Sequence, residues 1–139
     1  MVLKEFRINH STLIEHYQFI EAHLEGIYAA LSGKSFADGI REIEKDSLSG
    51  VIRELKILEK EKNITIFTAE EYKQLRKITE RRNFWCHCCY FELSFDLTTG
   101  ALARVRDEQD LLEDMEAAQR CRSQLLQKKK DILEAKQIL

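Results

Sequence analysis

Within the stretch ERRNFWCHCCYFEL, residues 80–93, two arginines, an asparagine and a histidine interrupt the most aromatic and cysteine-rich run of the chain. At roughly 100° per residue, Arg76, Glu80, Asn83, His87 and Tyr90 fall on one helical stripe, with Arg82 on its flank. Phe84, Trp85, Cys86, Cys88, Cys89, Phe91 and Leu93 cover most of the remaining surface, so this helix is expected to be largely buried. Buried polar groups cost about 1–3 kcal/mol each unless paired. A titratable imidazole and a guanidinium about one turn apart in that setting mark a candidate site for proton transfer and anion binding. The competing reading is a satisfied polar network, or the wet face of the helix. Between positions 73 and 82, Lys73, Arg76, Lys77, Arg81 and Arg82 face only Glu80 as counter-charge. With a net charge of −2, a polyanion would have to be held by such a local patch rather than by the field of the whole chain.

The elements that must position these residues are helical. Proline is absent from the 139 residues, which suits uninterrupted helices, and the length suits one domain spanning residues 1–139. From about Ser11 to Leu31, the residues Leu13, Tyr17, Ile20, Leu24, Ile27 and Leu31 are spaced as the seam of a bundle helix, with Gly33 as its stop. His16 and His23 sit on the margin of that seam, as boundary residues half in solvent. A second helical pattern covers residues 40–63, with a break expected near Ser47–Gly50. The segment NITIF is too short and isolated for a sheet and reads as an extended connector. Thr68 and Glu71 form a capping box, predicting a helix from there through the motif to about Leu97, with a turn at 98–100. From about Asp107 to the C-terminus, acidic residues come first and Lys128, Lys129 and Lys130 late, matching the helix dipole. Leu111, Ala118, Leu125, Ile132 and Leu139 recur every seven residues along it. The expected architecture is all-α: an up-down bundle of four to five helices with a long C-terminal helix.

Arg82-Asn83-Phe84-Trp85-Cys86-His87 is an R-N-x-x-x-H sequence, and it resembles the R-x4-6-H signature of the HEPN superfamily, in which an Asn frequently follows the Arg. The preceding helix SLSGVIRELKILEKEKN, the extended link and the capped TAEEYKQLRKITE are similar to the HEPN layout as well. That resemblance implies a homodimer in which two motif helices face one another across a composite cleft. In active relatives that cleft is a metal-independent endoribonuclease, so the expected partner is RNA, with no cofactor. The 2′-OH of RNA attacks its own 3′ phosphate and leaves a 2′,3′-cyclic end. On this reading His87 transfers the proton, Arg82 holds the phosphate and stabilises its growing charge, and Asn83 orients the imidazole or the phosphate. Arg76, Arg81 and Tyr90 are the substrate-binding candidates. In HEPN toxins paired with minimal nucleotidyltransferase antitoxins, a Tyr two residues past the His accepts adenylyl groups. Here Tyr90 lies three past His87, so that role is not carried over, and a protein antitoxin or other regulator is left as an unnamed possible partner.

Two other classes of function compete. Cys86 and Cys89 have the C-x-x-C spacing of half a zinc site or a redox pair, but a second half is missing, so free structural thiols and no metal site are expected. A non-catalytic helical interaction module, docking a partner through its C-terminal helix, is the second. No stretch approaches the ~18 apolar residues of a membrane span, the N-terminus MVLKEFRINHS has no signal-peptide h-region, and the cysteine usage suits a reducing cytoplasm.

Overall fold

The computed structural model describes residues 1–88, Thr99 and residues 105–138. Its first helix, α1 (Leu3–Leu31), starts eight residues before the expected position. The reason is Phe6, which extends the apolar seam backwards so that Phe6, Leu13, Ile20 and Ile27 form a run of sevens, all 0% exposed. The C-terminal helix, α5 (Val105–Ile138), buries its own run of sevens, Leu111, Ala118 and Leu125, with Ile132 packed against the same core. These two stripes meet. Arg122 donates to His16 Nδ1 at 3.2 Å and Lys129 to His23 Nδ1 at 2.9 Å, so seven residues forward on one helix is seven forward on the other and the pair runs parallel. Matching heptads keep two parallel helices in register along their length.

His23 is therefore not a boundary residue half in solvent. It is buried, and the aliphatic stem of Lys129 lies so close over Gly26 that a Cβ there would come within 2.8 Å of it. A nitrogen that accepts carries no proton, so the His23 ring is neutral. Burial first, then Lys129 and Arg122, hold its pKa down at about 4. His16, half-buried, is lowered for similar reasons by burial and Arg122.

Between those two helices, the described part of the chain forms three more α-helices. Helix α2 (Phe36–Ile43) is capped by Ser35, whose hydroxyl accepts from the Asp38 amide. It packs on α1 closely enough that a Cβ at Gly39 would stand 2.7 Å from the Ala29 Cα, so only glycine fits. The break comes at residues 44–47, slightly earlier than the expected Ser47–Gly50, and ends where Ser47 caps α3 (Leu48–Lys62) by accepting from the Gly50 amide. Asn63 ends α3 in the left-handed conformation at φ 52°.

The connector is non-helical, as expected, and the physical cause is visible. Glu59 Oε1 accepts from the Ile66 and Phe67 amides at 2.8 and 3.0 Å, so a side chain satisfies backbone donors that would otherwise need a helix or a sheet. Thr68 and Glu71 then form the predicted capping box, each side chain accepting from the other's amide, and α4 (Ala69–Asn83) begins. It runs antiparallel to α1, since Glu21 meets Arg82 while His10 meets Trp85. It also runs antiparallel to α5, since Glu71 meets Lys128 while Arg81 meets Asp114. Five α-helices and no β-strand make up the described residues, and one apolar core draws on all of them.

Continuous α-helix through the motif to Leu97 is not what the structure shows. After Asn83 the helix widens into a π turn, Phe84–Cys88. Residues 89–98, including Cys89 and Tyr90, lie outside the described residues.

Candidate functional site

Trp85 is the fixed point of the motif. It is 1% exposed and is gripped from both neighbouring helices. Its indole Nε1 donates to Asp114 Oδ2 on α5 at 2.7 Å, and the Arg81 Nε donates to the same oxygen at 2.7 Å. The Arg81 guanidinium lies over the rings of Phe84 and Trp85, 5.0 and 5.7 Å from their centroids. From α1, His10 Nε2 stands 2.7 Å from the Trp85 carbonyl oxygen, and since a carbonyl only accepts, His10 carries its proton on Nε2 and donates. Phe6 stacks on the His10 ring at 5.7 Å and also approaches Trp85. A π turn redirects its carbonyls from the i+4 to the i+5 amide, and His10 supplies one of them with a donor from another helix.

The widened turn changes which residues share a face. A turn with more than 3.6 residues rotates His87 backwards about the axis from where an α continuation of Asn83 would place it. Arg82 and Asn83 stay on α4 proper, and the Arg82 Nη1 donates to Asn83 Oδ1 at 3.3 Å. Arg82 Nη2 lies 3.9 Å from Glu21 Oε2 of α1. Asn83, Cys86 and His87 are exposed, as are Glu80 and Arg76 one and two turns before Asn83; Phe84 is half-buried. The expectation of a buried polar stripe is thus overturned. Among the described residues of the segment, Trp85 is buried in the core and Phe84 packs against it, while Asn83, Cys86 and His87 stand on the open side.

The structure brings Arg82 and Asn83 together, puts His87 on the adjoining turn, and places Arg76 on the exposed face of α4. It takes Arg81 to the other side of α4, where its charge is committed to Asp114. Next to that ion pair, a cleft of about 490 Å³ opens between α4 and α5, with Lys77, Arg81, Glu113 and Arg120 on its walls, Cys121 beside them, and Tyr17 of α1 at its base. The Tyr17 hydroxyl is sealed from solvent with no hydrogen-bond partner among the described residues, and burial, with Asp114 next in importance, raises its pKa. The cleft carries charges of both signs.

Sequence reasoning did not find Asp114, His10, Glu21 or the anchoring role of Trp85. Asp114 reads in sequence as one of several acids early in α5, and its two bonds span 33 and 29 residues. Only long-range packing reveals it.

Cys86 and Cys121 are free thiols. Burial pushes the Cys121 thiol up to about 11, which leaves it an inert packing group. No group of three or more His, Cys, Asp or Glu side chains among the described residues converges as a metal site. No helix among them is long and apolar enough to cross a membrane. No known protein family, curated protein or solved structure matches the chain.

Proposed function

We propose that this chain is a HEPN-like, metal-independent endoribonuclease of the toxin or defence type, acting on single-stranded RNA in the cytoplasm as a homodimer, with its activity held in check by a protein antitoxin or regulator. The observation that carries the reading is the presentation of Arg82, Asn83 and His87 on the open side of a segment that Trp85, Asp114 and His10 clamp to the core. A rigid mount for a guanidinium, an amide and an imidazole is what a positioned phosphate site needs. The resemblance of the R-N-x-x-x-H motif and its helical layout to HEPN supplies the reaction.

The RNA 2′-oxygen bonds to the adjacent phosphorus and the P–O5′ bond breaks, giving a 2′,3′-cyclic phosphate and a 5′-hydroxyl. His87 takes the proton that leaves the 2′-OH and returns it to the departing O5′, an effect worth typically ~10²–10⁴-fold. Arg82 binds the phosphate oxygens as their charge grows, and Asn83, already bonded to Arg82, keeps the guanidinium plane in place. Exposed Arg76, two turns before Asn83 on the same face of α4, offers a further cation for the RNA backbone beside the site.

A second reading, a non-catalytic interaction module, is favoured by one observation: Arg81, one of the five cations of the basic cluster, serves packing rather than a ligand. The test separates the two. Purified protein with EDTA present is expected to cleave single-stranded RNA to cyclic-phosphate ends, and His87→Ala is expected to lower the rate at least ~10²-fold while circular dichroism stays unchanged. No cleavage of several RNAs by wild type, with His87→Ala binding RNA as well as wild type does, would leave the interaction module standing.

A further inference from the structure

Arg82 is the group on which phosphate capture turns, and its guanidinium is already spoken for. One arm donates to Asn83, and the other faces the Glu21 carboxylate of α1 across 3.9 Å. Both side chains are about three-quarters withdrawn from solvent, at 27% and 26% exposure. At that separation the contact is an ion pair without a hydrogen bond, and it is partly screened. A phosphodiester offers two oxygens to the planar fork of an arginine and makes shorter, charge-assisted bonds. It therefore displaces the carboxylate, but against repulsion from it.

The surroundings deepen that opposition. Glu25 lies one turn along α1 from Glu21, and burial first, then Glu21 and Glu44, raise its pKa above the ordinary carboxylate value. Cys86 of the π turn occupies the same corner: burial pushes its thiol up, Arg82 pulls it down, and Glu21 pushes it up again. Glu21 thus faces Arg82 of the R-N-x-x-x-H motif, with a second carboxylate, Glu25, one turn behind it on α1.

We propose that Glu21 is a carboxylate latch on Arg82, displaced when a single-stranded RNA phosphodiester binds, and that it sets the affinity of the motif for RNA backbone. The inference rests on the reading of Arg82 as phosphate clamp. The probe is a fluorescein-labelled 2′-O-methyl oligoribonucleotide, which keeps the phosphodiester but lacks the nucleophile, so that binding is read by anisotropy without cleavage. Glu21→Gln is expected to tighten binding about threefold, the scale of a partly screened ion pair. Arg82→Gln is expected to weaken it, and Glu21→Gln to bring no gain in the Arg82→Gln background. Should the glutamine variant fail to fold by circular dichroism, Glu21→Asp withdraws the carboxylate by one methylene and is expected to give a smaller gain in the same direction. An unchanged affinity in the Glu21 variants, with Arg82→Gln still weak, overturns the latch and leaves the clamp intact. An equal gain with and without Arg82 overturns the latch in favour of general charge repulsion. Wild-type affinity in Arg82→Gln overturns both.

Discussion

Along α1 and α5 the protein is held by repetition, and at the end of α4 it is held by single atoms. In the seam, Phe6, Leu13, Ile20 and Ile27 face Leu111, Ala118 and Leu125, and each layer resembles the next, down to the paired bonds His16–Arg122 and His23–Lys129. At the motif, one carboxylate oxygen of Asp114 takes two donors and one imidazole of His10 takes one carbonyl, and between them they decide where Trp85 sits. A repeating apolar contact spreads its free energy over many residues. A polar anchor concentrates it, and it also fixes orientation, which packing alone does loosely. That division suits a molecule that needs a stiff frame and one oriented surface.

The largest effect should come from the seam. Ile20→Ala removes a fully buried side chain from the middle of the run and is expected to destabilise the fold by about 2–5 kcal/mol. Denaturant titration checks this, and a loss below about 1 kcal/mol would mean that the seam is not the frame described. Next comes Asp114→Ala, which strands the Trp85 indole and the Arg81 guanidinium together. The expected cost is about 2–3 kcal/mol. If the anchor orients the motif, the RNA cleavage proposed for this chain should fall by more than the folded fraction accounts for. A loss of activity merely proportional to folded protein would reduce Asp114 to a packing residue.

The smallest effect is one of pH within the seam. His23 has its pKa depressed to about 4 in the folded protein against about 6.5 when unfolded, so the unfolded chain binds more protons between those values. The stability this neutral imidazole contributes is complete above about pH 6.5 and is lost as pH falls towards 4. Lys129 and Arg122 reach solvent and are screened, so a loss of about 1–2 kcal/mol is expected rather than the full shift. Denaturation midpoints at about pH 7 and about pH 4.5 measure it, and the difference should shrink in His23→Gln. An unchanged difference would place the acid sensitivity elsewhere.

Much of this was written in the order of the residues. The 4-3-4 spacing from Leu13 to Leu31, the heptads of α5, the capping box Thr68–Glu71 and the absence of proline declare helices, their ends and their apolar faces, because those properties arise within one or two turns of local chain. The motif Arg82-Asn83-His87 is legible for the same reason, being contiguous. Tertiary structure alone decided that α1 and α5 run parallel, that His23 is neutral and buried, that Arg81 turns away from the motif to Asp114, and that Glu21 stands opposite Arg82. It also decided the π turn, which no period announces. The apolar content of the motif segment foretold burial, yet among its described side chains, residues 84–87, it is Trp85 that is buried, while Cys86 and His87 face outward. Hydrophobic content says how much surface a segment would rather hide. Which side chain is hidden depends on what the neighbouring helices offer it, and here α1 offers an imidazole donor and α5 a carboxylate, across separations of 75 and 29 residues.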